Sequence, residues 1–219
     1  KRKMNAIEIK KLTKKYKDVT AVDGLELSVR QGELFALLGV NGAGKTTTIK
    51  MLSCLTAPTS GEAYLGGKSI VSQPNEVKRI IGVSPQETAV APNLTVMENI
   101  LLPLSLGKNR KPDKERITYL TELLGIQNML SEYPTNLSGG EQRRVSIART
   151  FAQNPKLVVA DEPTSSLDME NSEIIMKYFQ KMAKEGTTIL VSTHDREFAN
   201  YADRCLWMKK GKLEKRELE

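Results

Sequence analysis

Near its start the chain alternates apolar and polar residues twice, in "AIEI" (6–9) and "LELSV" (25–29), as half-buried strands do. The alternation then gives way to "GELFALL" (32–38), a nearly continuous apolar run that suits a strand covered on both faces in the middle of a parallel sheet. Beyond residue 45, Ile49, Leu52 and Leu55 recur at helical spacing. "PTSGEAYLGG" (58–67) reads as turn, short strand, turn, and "IIGVSP" (80–85) as another short buried strand. Residues 93–154 read mostly as helix. One segment, "PDKERITYLTELLG", has Pro112 near its start, a stripe of Ile117, Leu120 and Leu124, and Gly125 as a stop. A second, "SGGEQRRVSIARTFAQNP", ends at Asn154–Pro155. The strand pattern returns in "LVVADEP" (157–163) and "TTILVSTHD" (187–195), on either side of the amphipathic helix "MENSEIIMKYFQKMAKEG", which Gly186 closes. The last segment, "RCLWMKKGKLEKREL", reads as strand, tight turn, strand. Strands alternating with helices predict a parallel α/β core, interrupted by a helical insertion and carrying antiparallel pieces near the N-terminus.

The phosphate chemistry lies where the buried strand meets the helix, in "GVNGAGKTT" (39–47). Gly39-x-x-x-x-Gly44-Lys45-Thr46 is a phosphate-loop pattern in its expected setting. Without Cβ atoms, Gly42 and Gly44 let backbone N–H groups converge on phosphate oxygens, and the helix N-terminus adds a positive dipole end. Lys45 places a charge between β- and γ-phosphates, and Thr46 offers a hydroxyl to Mg²⁺. The loop positions taken as nucleotide-binding are Gly39, Asn41, Gly42, Ala43, Gly44, Lys45, Thr46 and Thr47. "LVVADEP" is an apolar strand that ends in two acids. In a parallel sheet the carboxyl ends of strands line the ligand crevice. Asp161 can therefore reach the Mg²⁺ shell, and Glu162 can point at a water beyond the γ-phosphate as a general base. In "LSGGEQRR" (137–144), Ser138 and Glu141 have capping-box spacing. Gly139 and Gly140 would leave that helix N-terminus bare, a second place for an anion.

Together, "GVNGAGKTT", "LSGGEQRR" and "VVADEPTSSLD" resemble the ATP-binding cassette (ABC) ATPases, the nucleotide-binding subunits of ABC transporters. The resemblance covers nearly the whole chain, with the motifs in the family's order. It implies an α/β fold: a RecA-like P-loop NTPase core (31–86 and 155–219), an antiparallel β subdomain (about 1–30 and 60–70) and an inserted α-helical subdomain (about 87–154), together one nucleotide-binding domain. It also implies ATP and Mg²⁺ as cofactors, and a homodimer in which Ser138, Gly139, Gly140 and Glu141 of one chain complete the ATP site of the other. Gln86 in "VSPQE" would touch Mg²⁺ or the attacking water and sense the transmembrane partner. His194 in "VSTHD" would face the γ-phosphate. "SSLD" (165–168), ending in Asp168, would cross the dimer interface, and Tyr16 would stack on adenine. Val40 stands where proline is commoner, and Ser166 where alanine or glycine is usual. Residues 39–99 resemble the drug- and antibiotic-exporter branch, whereas residues from about 101 onward resemble the macrolide-export and lipoprotein-release branch, as in a natural intermediate lineage or a recombined chain.

Composition narrows the rest. The 219 residues suit one domain, of ordinary apolar (39%) and charged (27%) content. No apolar run reaches the ~18 residues of a membrane helix, and the basic N-terminus "KRKMNAIEIK" has no apolar core of a signal peptide. His194 is the single histidine, which excludes a histidine-rich zinc site, and Cys54 and Cys205, in no metal spacing, read as small core residues in a reducing compartment. Much of the net charge of +7 gathers at "KRK", "KKYK" and "KKGKLEKR" and reads first as solvated surface, with attraction to nucleic acid or anionic lipid headgroups as the alternative. No specific nucleic acid is expected, since cassette proteins of that kind usually carry two cassettes or a long coiled coil. The resemblance implies ATP hydrolysis that powers transport, export by branch, through a separate transmembrane permease, and places the protein in the cytoplasm, on the inner face of the membrane. The alternatives are a cassette ATPase whose membrane partner passes force to cell-wall enzymes, and a soluble nucleic-acid-associated cassette protein.

Overall fold

The computed structural model describes residues 4–105, 113–165 and 167–214. Pro112, Ser166 and the last residues of the terminal strand segment lie outside these. Strands β1 (Asn5–Tyr16) and β2 (Val19–Arg30) form a long antiparallel hairpin, extended by β4 (Ser60–Leu65) and β5 (Lys68–Ser69) in the order β2-β1-β4-β5. The second sheet has the order β10-β9-β3-β8-β7-β6, built from β3 (Leu34–Leu38), β6 (Ile81–Ser84), β7 (Leu157–Asp161), β8 (Thr188–Thr193), β9 (Arg204–Lys209) and β10 (Lys212–Glu214). Within it β9, β3, β8, β7 and β6 are parallel, and β10 turns back antiparallel on β9. The helices are α1 (Lys45–Leu52), α2 (Pro74–Ile80), α3 (Val96–Ser105), α4 (Lys114–Leu123), α5 (Gly139–Ala152) and α6 (Met169–Lys184). This is the α/β arrangement anticipated, with an antiparallel sheet and a helical insertion.

The continuous apolar strands are explained by burial on both faces. Side chains alternate across a strand. Leu34, Ala36 and Leu38 of β3, with Val158, Ala160, Ile189 and Val191, face a core shared with α3, α4, α5 and α6. Phe35 and Leu37, with Leu157, Val159 and Leu190, face the other way, onto α1 and the antiparallel sheet. Each large side chain so buried contributes about 1.5–3 kcal/mol relative to exposure.

Register then places the chemistry. Leu38 pairs with Thr193 and Asp161 pairs with Ser192, so β3, β7 and β8 end side by side. The ladder runs one residue further: Gly39 N–H donates to Thr193 O (3.2 Å) and Glu162 N–H to Ser192 O (2.8 Å).

Several expectations are corrected. The hairpin strands are far longer than "AIEI" and "LELSV". Bulges in β1 break the alternation, and Lys11 takes a positive φ of 47°. Helix α1 stops at Leu52, leaving Leu55 outside it and 69% exposed. Helix α2 buries only Val77, too sparse a stripe to read. Cys54 and Cys205 are free thiols, half-buried at the core margins rather than inside it. Among the described residues, no helix is long and apolar enough to cross a membrane.

Candidate functional site

A cleft of about 580 Å³ opens at the carboxyl ends of β3 and β7, lined among others by Asn41, Gly42, Ala43, Gly44, Lys45, Thr46, Thr47, Gln86 and Glu162. Its floor is charged. Lys45 begins α1, is 4% exposed, and donates from Nζ to Gly39 O (2.6 Å) and Val40 O (3.2 Å). The same ammonium lies 3.2 Å from Glu162 Oε1. Beside it the Thr46 hydroxyl donates to Asp161 Oδ1 (3.3 Å), and the Ser192 hydroxyl donates to that oxygen as well. Buried acids are costly unless they are paired and hydrogen-bonded, and both are here.

Mg²⁺ prefers hard oxygen ligands and usually takes one or two carboxylates plus substrate phosphates. The Thr46 hydroxyl and Asp161 carboxylate, in hydrogen-bond contact beside the phosphate loop, fit that demand. A cage built from protein alone is not needed, and among the described residues no cluster of three acidic, histidine or cysteine side chains is present.

His194 reaches the site through Glu162. Its backbone N–H donates to Glu162 Oε2 (3.2 Å), and its Nδ1 lies 2.9 Å from the same oxygen. A carboxylate only accepts, so the tautomer making this bond carries its hydrogen on Nδ1. The ring is half exposed, and His194 is not itself among the residues lining the cleft. Gln86 does line it, with an exposed side chain.

The signature segment stands apart. Ser138, Gly139, Gly140, Glu141 and Asp168 do not line this cleft. Ser138 caps α5 in a full capping box: Glu141 N–H donates to its Oγ (3.3 Å), and Glu141 Oε2 accepts from the Ser138 N–H (2.7 Å). The Ser138 N–H and hydroxyl, both donating to Glu141 Oε2, hold the Glu141 carboxyl below its usual range and tie it to its own helix end. A Cβ on Gly139 would meet open space, whereas one on Gly140 would strike the Asn171 side chain at 2.7 Å. Only the first glycine leaves the helix end bare; the second makes room for packing. Asn171 in turn accepts from the Arg144 guanidinium (2.6 Å) and donates to Asp168, the N-cap of α6. Tyr16 sits at the hairpin end, 46% exposed, with the Lys14 ammonium 5.1 Å above its ring. The cleft wall on that side is Val19, Thr20 and Ala21.

Residues 22–165 match the family described as ABC transporter. The chain belongs to that family. As a member it is an ATPase that works with ATP and Mg²⁺. The lipoprotein-releasing system ATP-binding protein LolD of Aquifex aeolicus (strain VF5) is 42% identical over 217 residues, covering 96% of this chain and 95% of its own. That alignment runs through both the 39–99 segment and the one beyond it. The cell division ATP-binding protein FtsE of Bacillus subtilis (strain 168) is 36% identical, covering 89% of this chain and 88% of its own. In structure, the chain is similar to the ATP-binding cassette MJ0796, solved as a dimer in a post-hydrolysis state bound to ADP and Pi. The TM-score is 0.86 at 32% identity, over 96% of this chain and 97% of that one.

Two side chains that contact the acid-bearing segment were not singled out in the sequence. Ser192 read as one more residue of the strand "TTILVSTHD"; its hydroxyl donates to Asp161 Oδ1 across the sheet. Arg143, which the sequence did not single out within its helix, is 2% exposed. No local signal marks it, because α5 also carries Glu141, Gln142, Ser146, Arg149 and Thr150.

The phosphate loop also yields a stability prediction. Gly44 has φ 104°, and a Cβ there would collide with the Ala21 carbonyl oxygen and approach Met208 Cε at 2.9 Å. Gly44→Ala should therefore cost about 2–4 kcal/mol, read as a lower urea midpoint. An unchanged midpoint would mean that the loop shifts without penalty.

Proposed function

We propose that the protein hydrolyses ATP as one half of a nucleotide-sandwich homodimer, and so powers export through a separate transmembrane subunit from the cytoplasmic face of the membrane. The observation that carries the site assignment is the contact of buried Lys45 with buried Glu162 at the cleft, beside the half-buried Thr46 and its hydrogen bond to buried Asp161. The backbone N–H groups of 41–47 receive the phosphates, with Tyr16 at the adenine side. Lys45 leaves its contact with Glu162 to meet the β- and γ-phosphates. Thr46, Asp161 and Gln86 would hold Mg²⁺, which offsets charge on the phosphate oxygens. Glu162 takes a proton from the attacking water. The water oxygen bonds to the γ-phosphorus as the bond to the β,γ-bridging oxygen breaks, giving ADP and inorganic phosphate. His194 holds the Glu162 carboxylate in its aim and stabilises the transferred group.

The other half of each site is the signature segment of a second chain. That Ser138 to Glu141 lie outside their own chain's cleft supports this reading. The dimeric state of the similar cassette MJ0796 supports it as well. Ser138→Arg places a bulky cation at this helix end. It should leave ATP binding to the single chain intact and abolish ATP-dependent dimerisation in light scattering; a dimer that persists would refute the shared site. The region around Gln86 and the helical insertion would receive the transmembrane subunit. Reconstitution with that subunit tests the transport half, by ATP-driven movement of its substrate. A second reading is a membrane partner that transmits force instead of moving a substrate; the likeness to FtsE, a cell division ATP-binding protein, keeps a role other than transport open. ATPase stimulation by the partner with no substrate moved would select it.

A further inference from the structure

The Arg143 guanidinium is buried to 2% exposure in the second turn of α5, and its hydrogen bonds go to backbone carbonyls. Nε donates to Pro163 O (3.0 Å). One terminal nitrogen donates to Pro85 O (2.6 Å) and Gln86 O (3.1 Å). The other donates to Asp161 O (3.3 Å) and Glu162 O (3.1 Å). An arginine has five N–H donors in a planar fork, and each of these bonds can have its own. Burial pulls the Arg143 pKa down and the nearby Asp161 charge opposes it, and a guanidinium so placed stays charged.

These carbonyls belong to two segments that the site needs held. The first is the loop after β6 that carries Gln86. The second is the turn after β7 that carries Asp161 and Glu162. Glu162 has φ 45°, a left-handed backbone that non-glycine residues rarely adopt. Its carbonyl oxygen is gripped by Arg143, by the Ser165 N–H (3.2 Å) and by the Ser165 hydroxyl (3.0 Å). Its N–H is gripped by Ser192 O (2.8 Å). The aim of the Glu162 side chain toward the cleft follows from that backbone. Arg143 itself is not among the residues lining the cleft.

We propose that Arg143 is a positioning residue, one that locks the backbone of Glu162 and the loop of Gln86 to the signature helix. Its fork spans both segments at once, which a lysine ammonium, a single point donor, does not. The inference rests on the reading of Glu162 as the general base.

The test is steady-state ATPase kinetics on the full chain, with MgATP binding and melting temperature measured beside it. Arg143→Gln should lower kcat at least 10-fold with KM for ATP within about twofold, and Arg143→Lys should not rescue kcat. In a Glu162→Gln background, Arg143→Gln should lower the residual rate by a clearly smaller factor than it lowers the parent's kcat, because one of the two positioned groups is already gone and only the Gln86 loop is left to displace. An unchanged kcat in Arg143→Gln would overturn the proposal, as would an equal loss with and without Glu162. If Glu162→Gln itself kept full turnover, the base assignment would fail while the Arg143 kinetics still stood to be read on their own. Should Arg143→Gln not fold, Arg143→Lys carries the same measurement. If neither folds, Arg143 is a residue of stability alone and the proposal is wrong.

Discussion

Glu162→Gln should cut ATP turnover by about 10³-fold, within the ~10²–10⁴ that a positioned general base supplies. Glutamine keeps the shape of the side chain and can still accept from the His194 backbone and ring, but it cannot take a proton from water. Binding should survive, because the phosphate loop and Lys45 are untouched. ATP should then accumulate in a dimer that hydrolysis no longer opens, visible as a stable doubled mass in gel filtration. The substitution also removes the buried anion that lies 3.2 Å from Lys45. Without nucleotide the variant should therefore melt lower than the parent, and ATP should raise its melting temperature by more than it raises the parent's, since phosphate restores an anion to the ammonium. Full turnover in this variant would overturn the base assignment.

How much of this was legible in the sequence depended on how local the geometry is. The phosphate loop is one uninterrupted segment, and its glycines, lysine and threonine can be read without knowing what surrounds them. The acid pair was legible for the same reason, since an apolar strand that stops at Asp161 and Glu162 announces where the sheet ends. The contact of His194 with Glu162 needed the strand order, which puts β8 beside β7. Arg143 was illegible because its partners lie from 18 to 58 residues away along the chain. No periodicity records that the carbonyls of two separate turns converge on one side chain. Gly140 was half legible: its lack of a side chain was noticed, but the Asn171 side chain that fills the space comes from another helix. The long hairpin was misjudged because bulges in β1 move exposed lysines out of step with the apolar positions.

Lys45→Ala should act on affinity where Glu162→Gln acts on rate. The Lys45 ammonium reaches both the loop carbonyls of Gly39 and Val40 and the carboxylate of Glu162. Removing it takes away a charge-assisted bond to phosphate, and ATP affinity by calorimetry should fall by about 100-fold, or ~2.7 kcal/mol. Stability should fall too, because Glu162 keeps its burial and loses its cation. Breaking a buried pair from one side costs about 3–5 kcal/mol, and the open cleft, which lets water reach the carboxylate, puts the expectation at the low end. The two losses can be separated in one protein. In the Lys45→Ala, Glu162→Gln double variant neither buried charge remains, so most of the stability returns while the affinity does not. Recovery of stability without recovery of binding would show that Lys45 meets the phosphates directly and is not merely the partner that keeps Glu162 in place. If affinity returned along with stability, the lysine's contribution to ATP binding would run through the carboxylate instead.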